Sequence, residues 1–130
     1  MEIKKYIEEA AKTCPELGSY DENDAEHCVD LAHMALGIGT ESGEIQDAIK
    51  KRIAYGVGLD LVNIAEEMGD IMWYLVNLAR MLGIDFNEVL RKNIDKLRER
   101  YGEAFSTYDA LHRDLDAEWE ILSGETIDGE

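Results

Sequence analysis

The segment from Leu61 to Leu82 carries the clearest periodic pattern in the chain and limits the fold more than any other stretch. Apolar residues recur through it at helical spacing, at Leu61, Ile64, Ala65, Met68, Ile71, Met72, Leu75, Leu78, Ala79 and Leu82. On a helical wheel a second group falls together on the opposite side, comprising Asn63, Glu67, Asp70 and Tyr74. A helix with opposed faces of these two kinds packs on more than one side, and self-association is a natural source of the extra cover.

The rest of the sequence predicts further helices. There is a single proline, and β-branched runs are scarce. Periodicity and capping signals place helices at 2–13, about 24–54, 61–82, about 85–101 and 109–122. Asp60 is the predicted N-cap of the third helix, and Gly83 and Gly102 are predicted to end the third and fourth. The predicted fold class is all-α, a four-helix core with short N-terminal and C-terminal helices. We expect one domain over 1–122 and a disordered tail over 123–130.

The central acidic residues occur as two pairs. Glu41 and Glu44 are spaced i, i+3, and so are Glu67 and Asp70. On helices this spacing puts both carboxylates of a pair on one face, so that two facing helices would direct four carboxylates at one spot. Four anions on mostly apolar helices repel one another and resist desolvation, which predicts a cation between them. Oxygen ligands alone favour a hard ion such as Mg²⁺ or Mn²⁺.

Two other metal schemes are weaker. Asp30 with His33 and Asp109 with His112 have the i, i+3 carboxylate–histidine spacing of di-iron bundles, but neither pair carries the usual glutamate. A zinc site built from Cys28 with His27 or His33 has still less support from the residue pattern.

The composition excludes several classes of function. A net charge of −16 and a pI near 4.4 argue against binding nucleic acid through a basic surface. No apolar run is long enough to cross a membrane, and charged residues interrupt any signal-like stretch near the N-terminus. Cys14 and Cys28 lack a paired framework, which favours free thiols. These features predict a cytoplasmic protein.

The second predicted helix contains three glycines and ends in a basic cluster. Gly37, Gly39 and Gly43 indicate either close approach of a neighbouring helix or ligand, or a helix that is kinked or interrupted near Gly37–Gly39, and both remain open. Cations at a helix C-terminus favour the helix dipole, which accounts for Lys51 without any function. Lys51 is nevertheless a candidate phosphate contact.

Three strings of residues together resemble one known family. They are Thr40-Glu-Ser-Gly-Glu44, Ala65-Glu-Glu-Met-Gly-Asp-Ile-Met-Trp-Tyr74 and Asn93-Ile-Asp-Lys-Leu-Arg-Glu-Arg-Tyr101. This combination resembles the MazG-like all-α nucleoside triphosphate pyrophosphohydrolases, whose marker is ExxE followed by ExxD. The resemblance covers about residues 28–105.

The resemblance implies a MazG-like fold and an enzyme that splits a ribo- or deoxyribonucleoside triphosphate into the monophosphate and pyrophosphate, in housekeeping of the nucleotide pool. It implies that the two pairs named above hold Mg²⁺, with Mn²⁺ as a substitute, and carry catalysis. The sequence does not decide which of these carboxylates is the general base, and Glu44 is our candidate. It also implies that Asn93, Lys96 and Arg100 contact the substrate. The family typically forms homodimers or dimers of dimers.

Two alternative functions stay open on the sequence. One is a pyrophosphohydrolase of the same fold that acts on a phosphoribosyl-nucleotide. The other is a non-catalytic acidic helical protein that binds or regulates a basic partner, although Lys96 and Arg100 on one helix face have no use in such a protein.

Overall fold

The computed structural model describes residues 1–16, 21, 23 and 25–125, with residues 25–27 described for their backbone alone. Within these ranges the chain forms six α-helices and no strand, which confirms the all-α class. They are α1 (Ile3–Thr13), α2 (Ala25–Tyr55), α3 (Leu61–Met81), α4 (Phe86–Tyr101), α5 (Thr107–Leu111) and α6 (Leu115–Ser123). The chain divides into two compact units, Met1–Asp85 with α1 to α3 and Phe86–Glu130 with α4 to α6.

In the first unit α3 lies between the other two helices. It packs along α2 and also contacts α1. Two side-chain hydrogen bonds hold α1 to α3: the indole N–H of Trp73 donates to Thr13 Oγ1 at 2.8 Å, and the Tyr6 hydroxyl donates to the carbonyl oxygen of Gly69 at 3.2 Å. The predicted packing of this helix on more than one side is therefore confirmed.

The helix α2 is continuous through its glycines, so the predicted alternative of an interrupted helix is wrong. Gly37 lies directly under the ring of Tyr74 on α3, and a Cβ there would fall well inside van der Waals contact with three ring atoms. Gly39 and Gly43 have no atom in contact with a Cβ position. Close helix approach therefore explains Gly37 alone of the three.

The predicted helix ends of α3 are confirmed. Asp60 accepts hydrogen bonds from the backbone N–H groups of Val62 and Asn63, both at 3.1 Å, and so caps the first turn. Gly83 follows the last turn with a φ of +67°, in the left-handed region where a side chain would be strained. The cap therefore fixes where α3 begins, and with it the positions of the side chains in the first two turns.

In the second unit α5 and α6 pack on α4. The link between α4 and α6 is ionic: Glu118 accepts from Arg100 Nε at 2.8 Å and from a terminal nitrogen at 2.6 Å, and it also accepts from Arg113. Glu118 is 3% exposed. A carboxylate can remain charged at such a position because two guanidinium groups pair with it.

The prediction of one helix over 109–122 is wrong, because the segment forms two helices. Ser106 caps α5 by accepting from the N–H of Asp109 at 3.0 Å, and Asp114 caps α6 by accepting from the N–H of Ala117 at 3.0 Å. A capping carboxylate competes with continuation of the preceding helix, so the chain restarts at Leu115. The predicted tail begins in α6, which ends at Ser123, and from residue 126 onward it lies outside the described residues.

Few apolar side chains are fully buried. Met34 on α2 and Val76 on α3 have no exposed surface, whereas Ile53, Leu61 and Met68 are among many large apolar residues that stay exposed. None of the helices in the described ranges combines the length and apolar content needed to cross a membrane.

Candidate metal centre

Three of the four predicted carboxylates come together where α2 faces α3. Glu41 on α2 and Glu67 and Asp70 on α3 each offer an oxygen atom, and the three oxygens lie within 4.8 Å of one another. The i, i+3 spacing on α3 puts Glu67 and Asp70 on the face that packs against α2. The polar face of α3 is therefore the face at the helix–helix contact.

The three carboxylates differ in exposure. Glu67 is 8% exposed, Glu41 is half-buried and Asp70 is exposed, so the cluster runs from the interior to the surface. The carboxamide of Asn63 donates to Glu67 Oε1 at 2.7 Å. Among the side chains that the structure describes, no lysine or arginine forms an ion pair with any of the three. Their charge is left for some other cation.

The electrostatics of Glu41 reflect this crowding. Partial burial, a hydrogen bond with Glu67 and repulsion from Glu67, Asp70 and Glu44 together raise the pKa of the Glu41 carboxyl. Burial and mutual repulsion both disfavour the charged form. A cation bound among the carboxylates would offset both effects.

The donor set fits a hard divalent ion. In an octahedral Mg²⁺ site with Mg–O distances of about 2.1 Å, ligand oxygens lie about 3 Å apart when adjacent and about 4.2 Å apart when opposite. Three carboxylate oxygens that lie within 4.8 Å of one another are close enough to share one ion after rotation of their side chains. Oxygen-only ligands suit Mg²⁺ and Mn²⁺ alike.

Glu44, the fourth predicted ligand, lies outside this cluster. It is exposed and lines a cavity of about 180 Å³ together with Asp47, Lys51 and Asn63. The ammonium of Lys51 lies close enough for the Glu44 charge to contribute to a raised Lys51 pKa, after the larger effect of Asp47.

The same cavity contains a carboxylate that is already neutralised. Asp47 accepts from Lys50 and from Lys51, both at 2.6 Å, and these contacts lower the pKa of Asp47 to about 2. Lys51, the candidate phosphate contact, therefore has a partner on its own helix. This pairing distinguishes Asp47 from the three clustered carboxylates, which form no ion pair with a lysine or arginine among the described residues.

The three candidate substrate residues of α4 belong to the second unit. Asn93 is exposed and Lys96 is half-buried, and neither side chain makes a hydrogen bond or ion pair within the part of the chain that the structure describes. Arg100 is held by Glu118, as described above, and its guanidinium lies 5.5 Å from the ring centre of Tyr101.

Two residues beside the cluster were not singled out by the sequence. The sequence pattern puts Asn63 on the polar face of α3 but assigns it no role. Its i, i+4 spacing from Glu67 is the signal that indicates the hydrogen bond between them. Tyr6 binds the carbonyl of Gly69, and burial together with the charge of Asp70 raises the Tyr6 pKa. Nothing in the sequence marks that long-range contact.

The ring of Tyr74 is half-buried and packs on α2. It lies edge-on to Trp73, with ring centres 5.1 Å apart, and to His33 at 6.1 Å. Its place over Gly37 confirms it as a packed aromatic residue.

The other metal schemes gain no support. In the described part of the chain, neither Asp30 with His33 nor Asp109 with His112 belongs to a cluster of three potential ligands. Cys14 and Cys28 are free thiols, as predicted. The side chain of His27 lies outside the described residues.

Comparison with known proteins gives two matches. The family model for the MazG nucleotide pyrophosphohydrolase domain matches residues 31–105, more than half of the chain. The chain is similar to the Gene 37 protein of Mycobacterium phage L5, with 31% identity over 74 residues, 54% of this chain and 65% of that protein. The chain thus spans slightly less than two thirds of the length of this relative. No solved structure matches. The three clustered carboxylates all lie inside the matched segment, whereas α1, α5 and α6 lie outside it.

Proposed function

Because the chain belongs to the MazG nucleotide pyrophosphohydrolase domain family, we propose that it is a Mg²⁺-dependent nucleoside triphosphate pyrophosphohydrolase. Its reaction converts a ribo- or deoxyribonucleoside triphosphate to the monophosphate and pyrophosphate. The observation that carries this proposal is the cluster of Glu41, Glu67 and Asp70, which lacks a paired lysine or arginine among the described residues. A structural role alone would leave this repulsion unexplained.

The cluster would hold Mg²⁺, with Mn²⁺ as a substitute, and Glu44 would complete the ligand set or act as the general base. Glu44 is one helical turn from Glu41, so a change of side-chain rotamer is enough to turn its carboxylate toward the cluster. When bound, the ion polarises phosphate oxygens and activates a water for attack at phosphorus. The buried Glu67 and the half-buried Glu41 keep the ligands in a partly desolvated place, where charge interactions are strong.

Cationic and polar side chains would bind the triphosphate and the sugar. Lys51 lines the cavity beside Glu44, and it can exchange its contact with Asp47 for a phosphate oxygen. Asn93 and Lys96 are without partners among the described residues and so are available to a ligand. Arg100 would serve from its place beside Glu118, where two hydrogen bonds fix the guanidinium.

We further propose that the chain works as a homo-oligomer, a homodimer or a dimer of dimers, in the cytoplasm. The exposed apolar side chains of α2 and α3 support self-association. The two free thiols agree with a reducing compartment. The activity would serve as housekeeping of the nucleotide pool.

The test is a panel of ribo- and deoxyribonucleoside triphosphates with Mg²⁺, assayed separately for pyrophosphate and for orthophosphate. We expect pyrophosphate with monophosphate, lost on adding EDTA and lost in the Glu41→Gln variant. Glu66→Gln is the matched control, because Glu66 is an exposed acid on α3 outside the cluster.

Other results would contradict the proposal in distinct ways. Orthophosphate with a diphosphate would mean that a different bond is cleaved. Turnover of a phosphoribosyl-nucleotide assayed beside the panel, with no turnover of the triphosphates, would mean a different substrate for the same type of hydrolysis. If no nucleotide is hydrolysed with or without Mg²⁺, the result would favour an acidic binding protein.

A further inference from the structure

The buried member of the carboxylate cluster has a neutral hydrogen-bond donor. Asn63 Nδ2 lies 2.7 Å from Glu67 Oε1, one turn away on α3, and Glu67 is 8% exposed. Within the described residues, the Asn63 carboxamide is the amide donor to the Glu67 side chain, which also shares a hydrogen bond with the Glu41 carboxyl. A buried carboxylate oxygen with no donor would bear a desolvation cost, so the contact satisfies one of the two oxygens.

The backbone of Asn63 is itself held in place. Its N–H donates to Asp60 Oδ1 at 3.1 Å, in the capped first turn of α3. The side chain is half-buried and lines the cavity that Glu44 and Lys51 also line. One chain of hydrogen bonds therefore runs from the N-cap Asp60 through Asn63 to Glu67, which fixes the donor before any ligand arrives.

We propose that Asn63 is a positioning residue that fixes the orientation of the Glu67 carboxylate for metal binding, an inference that rests on the proposed function. The carboxamide holds Oε1 and so sets the rotamer in which Glu67 meets Glu41 and Asp70. Hydrogen-bond partners of metal ligands orient those ligands, and their mutation typically lowers metal affinity or activity by about 10- to 100-fold.

The neutrality of the donor matters as much as its position. A lysine or arginine at this place would neutralise Glu67 and compete with the metal ion, as Lys50 and Lys51 neutralise Asp47 nearby. A carboxamide supplies an N–H without adding positive charge. It orients the carboxylate and leaves its charge to the ion.

The experiment measures Mn²⁺ binding to the full chain without nucleotide, by the loss of the electron paramagnetic resonance signal of free Mn²⁺. Asn63→Leu keeps the size and removes the donor, and Asn63→Ala removes the donor and cannot clash. We expect both to weaken Mn²⁺ binding about 10-fold or more. Asn63→Gln should recover most of the affinity, because glutamine at i also pairs with an acid at i+4.

The matched control is Val62→Ala, which changes an 80% exposed neighbour in the same helical turn. We expect wild-type affinity from it. Without metal, Asn63→Ala should melt lower than Val62→Ala, because it leaves an oxygen of the buried Glu67 without its donor. Mn²⁺ binding is therefore measured well below both melting temperatures, where each variant is fully folded. Wild-type Mn²⁺ affinity in folded Asn63→Ala would overturn the positioning role.

The remaining outcomes separate the two proposals. If the wild type binds Mn²⁺ and both donor-free variants bind it equally well, the role of Asn63 is wrong and the metal centre stands. If Asn63→Gln binds as poorly as Asn63→Leu, the donor is not what matters and the inference also fails. If the wild type itself binds no Mn²⁺, the metal centre and the proposed function fail together.

Discussion

At the scale of single residues, the carboxylate cluster opposes the stability of the metal-free protein. Glu41, Glu67 and Asp70 repel one another at close range, and the raised pKa of Glu41 records that repulsion. Asp70→Asn removes one charge and leaves the shape nearly unchanged. We expect the metal-free variant to melt at the wild-type temperature or a few degrees higher, while turnover falls to background.

The same variant should lose its response to metal. A ligand at 100 times its Kd raises the free energy of unfolding by about 2.7 kcal/mol, so Mn²⁺ should raise the melting temperature of the wild type and of Glu66→Gln. Asp70→Asn should gain little or nothing. Calorimetry with and without Mn²⁺ measures the increase in melting temperature for each protein. An equal increase in wild type and Asp70→Asn would contradict the role of Asp70 as a metal ligand.

A second prediction at this scale concerns two glycines one half-turn apart. A methyl group at Gly37 meets the Tyr74 ring, whereas one at Gly39 meets open space. We expect Gly37→Ala to lower the free energy of unfolding by about 1–3 kcal/mol through overpacking. Gly39→Ala should raise it by up to about 1 kcal/mol through helix propensity. Urea denaturation compares the two directly, and similar effects from both would mean that the Tyr74 contact is unimportant.

At the scale of the elements, the ionic link between α4 and α6 should make the second unit sensitive to acid. Two arginines lower the pKa of Glu118, chiefly through their hydrogen bonds to it. A lowered folded-state pKa stabilises the fold fully above the unfolded value, near 4.5. The contribution is lost as the pH falls toward the lower folded value. We expect Glu118→Gln to lower the melting temperature at neutral pH, with the gap to wild type narrowing below about pH 4.5.

Asp116→Asn, an exposed acid on the same helix, is the control for general charge effects on α6. Arg113→Ala should cost less than Glu118→Gln, because Arg113 is 42% exposed whereas the Glu118 side chain is 4% exposed. Thermal unfolding followed by far-ultraviolet circular dichroism over a range of pH values tests both. A gap between Glu118→Gln and wild type that is constant with pH would contradict the ionic account.

The elements also show what local signals can and cannot predict. The bounds of α1, α3 and α4 lie within a residue or so of the predicted ones, because their signals are local. Pro15 and Gly83 act through their backbone geometry, and Asp60 caps α3 with its side chain. The sequence does not predict the break before α6, because the apolar pattern continues across Asp114 and favours one helix. In the structure Asp114 accepts a hydrogen bond from the N–H of Ala117 and so begins a second helix.

At the scale of the whole molecule, exposed apolar surface is the feature that predicts assembly. Ile45, Ile49 and Ile53 line a groove of about 450 Å³ on α2, and Ile53 is 80% exposed. We expect the wild type to sediment as a dimer or larger, and Ile53→Glu to shift it toward the monomer at micromolar concentration. Gln46→Glu adds a charge to the same groove and should also weaken assembly, because an unpaired charge would be desolvated at the contact.

Analytical ultracentrifugation over a concentration series provides the test. A wild type that stays monomeric at every concentration would contradict the proposed oligomer. A variant Ile53→Glu that assembles like the wild type would instead mean that this groove is not the contact.

The candidate site was predictable from the sequence as far as spacing along helices could take it. The i, i+3 spacing predicted that four carboxylates would meet, and the structure brings Glu41, Glu67 and Asp70 together but not Glu44. Hydrogen bonds and ion pairs between residues far apart in the sequence were not predictable. Glu118 as the partner of Arg100 is 18 residues away, and the Tyr6 contact with Gly69 spans 63 residues.

Each compact unit contains one of the two tryptophans of the chain. Trp73 is half-buried with its indole N–H bonded to Thr13, whereas Trp119 on α6 is 56% exposed. The indole in the first unit should therefore fluoresce at shorter wavelength than the one in the second. Replacing either tryptophan by phenylalanine leaves a single tryptophan, which can be excited at wavelengths that the tyrosines do not absorb, so the melting of each unit can be followed optically inside the intact chain without attaching a dye.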